Sequence, residues 1–309
     1  MVYQNYQQVV AAVQQHAGRR VMAVASAADK QVLEAVVDAK NRQIAEAILI
    51  GNRRNIQEIL IELSANPGDY MICDVADSVA AGQRAVELVR DGEANFLMKG
   101  MMETRDLLKP VVNKENKLHT GRVMSHVAFN KLSNYPKLII NTDGGMVIAP
   151  TLEEKKGIIL NAVAALHAIG YVLPKVAVLA GVEKPNPKMP ETLEAAALQE
   201  MNERGEISGC LVCGPLSYDI AISGEVAKQK KFPCPYAGDF DVLVAPNLAA
   251  GNILGKCWSF TAGSVMAGMI MGAKVPIILT SRGAPAEEKF LSIAIASLVA
   301  LGQEVANGR

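Results

Sequence analysis

The sequence predicts an α/β protein of two domains, each built on a largely parallel sheet. Short apolar runs alternate with amphipathic segments along nearly the whole chain, the pattern of β-α-β units. Hydrophobic residues make up 50% of the 309 positions and charged residues only 20%, which suits more than one buried core and argues against disorder. The alternation breaks after Pro110. There the strand-like runs Gly121–Asn130 and Pro136–Asn141 are separated only by Lys131–Tyr135, too short for a parallel crossover, so an antiparallel pair should mark a change of domain.

In chain order, strands are expected at Val21–Ala27, Ala47–Gly51, Tyr70–Val75 and Asn95–Met98, with helices at Lys30–Arg42, Ile56–Leu63, Val79–Val89 and Thr104–Val111. After the antiparallel pair come a helix at Glu153–Ile169, a strand at Lys175–Leu179, and helices Thr192–Arg204 and Asp219–Lys228 around a strand at Gly209–Val212. Strands Asp241–Ala245 and Val275–Leu279 follow. The apolar stretch Phe260–Leu279, interrupted by Gly263, Gly268, Gly272, Lys274 and Pro276, reads as a buried helix leading into that last strand. The closing helix Ala286–Leu301 carries a stripe of Phe290, Ile293, Ala294, Leu298 and Leu301. The expected domains are 1–134 with 274–309, and 135–273, with a ligand cleft between them.

The 31 basic and 31 acidic residues cancel, which gives no reason to expect nucleic acid or an anionic membrane as partner. The Gln-rich start lacks the apolar run of a signal peptide, and a cytoplasmic enzyme is expected. Five scattered cysteines include Cys210 and Cys213 in a C-x-x-C. With no second such pair and no histidine at ligand spacing, they read as small buried hydrophobes, and no metal site is expected.

Several segments follow expected strands, where loops face ligands. Gly251–Lys256 is similar to a phosphate-binding loop, but Ala250 and Cys257 stand where that motif needs Gly and Ser or Thr. Asn247 then reads as a helix cap, and the helix start with Gly251 and Asn252 as a possible anion site. In Asn141–Gly145, which includes Thr142 and Asp143, the paired glycines read either as turn chemistry or as a close backbone approach to a ligand. No G-x-G-x-x-G follows the first strand, so a nicotinamide enzyme lacks its fingerprint. Asp219 reads as a helix N-cap or a ligand contact, and Arg122, after Thr120 and Gly121, as a solvated side chain or a second candidate cation. Thr280–Glu288 is the most informative segment. Pro285, Glu287 and Glu288 suit a helix start, whereas Ser281 and Arg282 at a strand end offer a hydroxyl donor and a fixed cation to an acyl or phosphoryl group.

Together, Leu118–Val127 (with Ser125), Val182–Pro190, Gly214–Asp219, Pro246–Asn252 and Leu279–Arg282 resemble the phosphate acetyltransferase and phosphate butyryltransferase family, and the first two resemble its butyryl branch. The resemblance implies two α/β domains of the isocitrate/isopropylmalate dehydrogenase type around a cleft, with the last helix returning to the first domain. It implies a homodimer or higher homo-oligomer, acyl-CoA and inorganic phosphate as substrates, and no metal or redox cofactor, coenzyme A being a substrate. Acyl transfer to phosphate would pass through a ternary complex without an acyl-enzyme. Arg282 and Arg122 would hold phosphate, Ser281 would serve the thioester, and Glu288, with Glu287 beside it, would be the base toward the CoA thiol. An acetyl-specific enzyme and a non-catalytic acyl-CoA-binding module are the alternatives.

Overall fold

The computed structural model describes residues 2–16, 18, 20–281 and 283–306. Its first half runs α1 (Tyr6–Gln15), β1 (Arg20–Ala25), α2 (Lys30–Asn41), β2 (Ala45–Gly51), α3 (Arg53–Glu62), β3 (Met71–Asp74), α4 (Ser78–Arg90), β4 (Phe96–Lys99), α5 (Thr104–Val112), β5 (Ser125–Lys131) and β6 (Ile139–Thr142). Then follow α6 (Leu152–Ala168), β7 (Lys175–Leu179), α7 (Pro190–Glu203), β8 (Leu211–Leu216), α8 (Tyr218–Ile222), α9 (Gly224–Gln229), β9 (Val242–Val244), α10 (Leu248–Thr261), β10 (Val265–Met271), β11 (Ile277–Ile278) and α11 (Ala286–Ala306). The helices start where local chemistry satisfies their free N–H groups. Asp29, Asn52, Asp77 and Asn247 each cap a helix through the side chain, and Thr151 with Glu154 forms a capping box on α6.

By contacts the chain divides into two compact units. The first comprises Gln7–Arg122 and Ala267–Arg309, the second Met1–Tyr6 and Val123–Met266. In the first, the strand order is β3-β2-β1-β4-β11-β10, parallel except that β10 runs antiparallel to β11. In the second it is β5-β6-β9-β7-β8, with only β5 and β6 antiparallel. The register Ala128↔Asn141 and Asn130↔Ile139 spans position 134, so the expected break there falls inside a hairpin that belongs to the second unit.

Three elements depart from expectation. Val265–Met271 is a strand and not the tail of a buried helix: Gly263 and Gly272, both with positive φ, bracket a run too short for a stable helix but suited to a buried strand. The helix expected at Asp219–Lys228 is two short ones, because the extended backbone of Ser223 ends α8 while its hydroxyl caps α9. On α11 the stripe widens to the whole circumference, since every residue from Lys289 to Leu301 is buried. That helix is long and apolar enough to cross a membrane, but 72% of its most apolar window is buried inside the fold. It packs against α2, β1, β2, β4 and β11 as the core helix of the first unit.

Candidate active site

In the first unit the carboxyl ends of neighbouring parallel strands β1, β4 and β11 come together, the place where open α/β sheets bind ligands. Gly100 makes the junction possible. A Cβ there would lie 2.2 Å from the Ser26 carbonyl oxygen, and the bare backbone instead donates from Gly100 N to Ala25 O at 2.8 Å and from Met101 N to Ser26 O at 2.9 Å. Around this junction a small pocket is lined by Asp29, Lys99, Gly100, Met101, Thr280, Ser281 and Lys289. Ser281 is exposed beside it.

Two of the lining groups are buried lysines, Lys99 at 5% and Lys289 at 2% exposure. Lys99 ends β4, and its Nζ donates to Gly100 O at 3.3 Å and Met102 O at 3.1 Å. Lys289, in the first turn of α11, donates to Ala284 O. Ala284 N in turn donates to Ser281 O at 3.1 Å, so Lys289 fixes the loop that presents Ser281. Burial pushes the Lys289 pKa down, against the pull of Asp29 and Glu288. Charge held this deep in the fold is costly without an opposite charge beside it, and Asp29 and Glu288 supply that pull for Lys289. Neither lysine stood out in the sequence: Lys99 sits in an apolar run, and Lys289 follows two glutamates that read as helix-start chemistry.

Of the expected groups in this unit, Arg282 lies outside the described residues. Glu288 is half-buried and close enough to Lys289 to influence its charge, whereas Glu287 is exposed. Thr120 donates to Gly272 O and accepts from Arg122 N at 3.3 Å, fixing a turn whose Gly121 has φ +81°. Arg122 is exposed.

In the second unit, most of the expected ligand groups hold the fold together. Ser125 and Thr142 are fully buried; Ser125 Oγ accepts from Asn161 Nδ2 at 2.9 Å and Thr142 Oγ1 donates to His126 O at 2.7 Å. Neither offers its hydroxyl to solvent. The buried Asp143 carboxylate accepts from the N–H groups of Gly145, Met146 and Val147 at 2.8, 3.0 and 3.0 Å, so its charge organises its own loop. Asn247 caps α10 by accepting from Ala250 N at 3.0 Å. Asn252 Nδ2 donates to Gly144 O at 3.0 Å and Asn141 Nδ2 to Gly251 O at 2.8 Å. A Cβ on Gly251 would lie 2.6 Å from Asp143 O, and one on Gly144 would lie 2.9 Å from Gly251 C. These glycines therefore let α10 and the Asp143 loop touch, a use that neither a turn nor a ligand explains. His126 packs against Gly145, and desolvation lowers its pKa despite the nearby Asp143.

Asp219 lies in the first turn of α8 and is not its cap, a place taken by Ser217. Lys230 Nζ reaches Asp219 Oδ2 at 2.8 Å and Glu183 Oε1 at 3.1 Å, and Ser217 bonds to both carboxylates. The bonds to Lys230 and Ser217 bring the Asp219 pKa down to about 2, and that to Ser217 first of all lowers Glu183. The Val182–Pro190 and Gly214–Asp219 segments thus meet through one ionic cluster. Beside it is a pocket of about 270 Å³ lined by Val182, Glu183, Lys184, Ile220, Lys230 and Phe232.

Residues 75–297 match the family described as Phosphate acetyl/butaryl transferase. The chain is 42% identical over 279 residues to a phosphate acetyltransferase of Thermotoga maritima, covering 90% of this chain and 95% of the relative. It is 41% identical over 279 residues to a phosphate butyryltransferase of Clostridium acetobutylicum, covering 90% and 93%. Among solved structures, a branched-chain phosphotransacylase of Enterococcus faecalis superposes with TM-score 0.82 at 31% identity, over 91% of this chain and 99% of that one. A 4-hydroxythreonine-4-phosphate dehydrogenase of Klebsiella pneumoniae, at 13% identity and TM-score 0.59 over 92% and 100% of the chains, shares the fold alone, so the expected dehydrogenase-type likeness holds at that coarse level. On these matches the chain belongs to the phosphate acetyl/butyryl transferase family and is an acyltransferase.

Proposed function

We propose that this enzyme catalyses the reversible reaction of acyl-CoA and inorganic phosphate to acyl phosphate and CoA, with acyl groups of four or five carbons favoured over acetyl. The observation that carries this reading is Ser281 beside a pocket with two buried lysines at the ends of three parallel strands. Arg282 and Arg122 hold phosphate through forked, charge-assisted bonds, and Lys99 with Lys289 add positive field at the strand ends. A phosphate oxygen attacks the thioester carbonyl carbon directly, and the tetrahedral intermediate collapses with loss of the CoA sulfur. Ser281 donates a hydrogen bond to the charge that develops. Glu288 exchanges the proton of the CoA thiol, taking it in the direction of acyl-CoA synthesis and returning it in the other; its partial burial beside Lys289 favours it over the exposed Glu287. The homodimer and the cytoplasmic location belong to the same proposal and rest on the family resemblance.

The test is thiol release from butyryl-CoA and acetyl-CoA with and without phosphate. Release that requires phosphate, with acyl phosphate as the second product, is expected. CoA binding without phosphate-dependent release would leave a binding module and overturn the proposal. Sedimentation at twice the chain mass checks the dimer.

A further inference from the structure

Helix α10 is apolar on two opposite sides and buries only one of them. At about 3.6 residues per turn, its buried residues Gly251 and Trp258 share one side, where Trp258 joins the core cluster of Leu216, Ile220, Phe240 and Leu243. On the opposite side lie Ala249, Ile253, Lys256 and Phe260, all exposed, Ile253 at 67% and Phe260 at 87%. Ile148 extends this stripe. It is 78% exposed, and its carbonyl accepts from Leu248 N at 3.1 Å, next to Ala249. Single exposed apolar residues are ordinary on a protein surface, but a stripe of them along one helix marks an interaction site. The helix contains no acidic residue, and Lys256 is the one charge it carries.

The spacing of the stripe points to what covers it. Ala249, Ile253, Lys256 and Phe260 follow one another by four, three and four positions, the steps of a heptad seam along which one helix meets another. A second copy of α10 completes that seam when it runs antiparallel. A parallel pair about a two-fold axis would set each residue against itself, with Lys256 repelling its own copy and Ala249 facing a gap. In the antiparallel pair Ala249 faces the partner's Phe260 and Ile253 faces the partner's Lys256. Small then meets large, and the lysine stem lies along isoleucine while its ammonium reaches water.

We propose that this outer face of α10, with Ile148 beside it, is the two-fold interface between two copies of the chain, the two helices packing antiparallel. The proposal locates the homodimer put forward above and rests on that reading. The receiving surface is already rigid. Ile148 directly follows Val147, whose N–H the Asp143 carboxylate binds at 3.0 Å, and the inner side of α10 lies against the same loop through Gly251. The partner's Phe260 therefore meets groups that need little ordering on association.

The experiment is sedimentation of the full chain over a range of concentrations, for the parent and for Phe260→Asp, Ile253→Lys and Ile253→Glu. Both side chains are exposed in the single chain, so all three variants should keep the parent's circular dichroism. The parent should sediment at twice the chain mass, and Phe260→Asp and Ile253→Lys at one chain mass under the same conditions. Ile253→Glu, set opposite the partner's Lys256, should dimerise at least about tenfold more tightly than Ile253→Lys at low salt, a gap that added salt should close. A parent that sediments as one chain would overturn the homodimer and this interface together. A dimeric parent whose Phe260→Asp variant folds and stays dimeric would overturn the interface alone, and equal affinities of the Glu and Lys variants at low salt would overturn the antiparallel pairing.

Discussion

The Ser281 backbone carbonyl, not its side chain, accepts from Ala284 N, so the loop keeps its shape when the hydroxyl is removed. Ser281→Ala is therefore expected to fold normally and to lose turnover by about 10²-fold, the scale of one lost oxyanion donor, while phosphate affinity changes less. Weak phosphate binding with normal turnover at saturation would assign the hydroxyl to phosphate instead. Arg282→Lys keeps the charge but loses the fork. One lost charge-assisted contact of about 1.5–3 kcal/mol corresponds to roughly tenfold to a hundredfold in kcat/KM, and unchanged phosphate kinetics would remove Arg282 from the site. His126 makes a different kind of prediction. Desolvation holds its folded pKa below the ordinary 6.5, so between those two values the unfolded chain binds a proton that the folded chain does not. Stability should then fall as pH drops through about 6.5, with a slope of at most about 1.4 kcal/mol per pH unit from this residue. Urea unfolding of His126→Gln across pH 5–7 should show a flatter profile than the parent.

Among elements, those that follow from local chemistry were legible and those that follow from close packing were not. Strands β1, β2, β7 and β9 declare themselves as apolar runs, α6 declares itself as the helical run Glu153–Ile169 although its capping box of Thr151 and Glu154 was not read, and the short Lys131–Tyr135 link forces β5 and β6 antiparallel. The role of Gly144 and Gly251 could not be read the same way, because their contact joins residues more than a hundred positions apart. For the same reason Asp143, Thr142 and Asn252 read as ligand groups although their bonds hold the α10 contact and the Asp143 loop, whereas Asn247 is the helix cap it reads as. Lys99 and Lys289 were missed because their meeting depends on β4 and α11 sharing one end of the sheet. A methyl group added to Gly251 must push against Asp143 O from 2.6 Å. Gly251→Ala is therefore expected to cost about 1–3 kcal/mol in chemical unfolding, as overpacking does, despite alanine's better helix propensity. Lys289→Met should do the opposite. Relieving a buried ammonium should hold or raise the unfolding midpoint, while loss of the bond to Ala284 O frees the Ser281 loop and lowers kcat; a variant that loses stability and keeps full turnover would refute that positioning role.

For the whole molecule the acyl group is what divides the family, since relatives at 42% and 41% identity are named for acetyl and for butyryl transfer. One consideration favours the longer chain: the Thr120–Val127 and Glu183–Pro190 segments resemble the butyryl branch. Val265–Met271 is a weak candidate for the acyl wall, because as strand β10 its last five residues are buried in the fold. The physical bound on the preference is modest. Each methylene enclosed contributes about 0.8 kcal/mol, so the two that separate butyryl from acetyl give roughly tenfold or somewhat more in kcat/KM, within what an apolar pocket can discriminate. The ratio of kcat/KM for butyryl-CoA over acetyl-CoA at saturating phosphate is expected to exceed one by about that factor, with a five-carbon branched acyl-CoA at least matching butyryl. Because phosphate and CoA contacts are common to both substrates, they cancel in this ratio and leave acyl enclosure alone. A ratio at or below one would move the protein to the acetyl side of its family while leaving acyl transfer to phosphate intact.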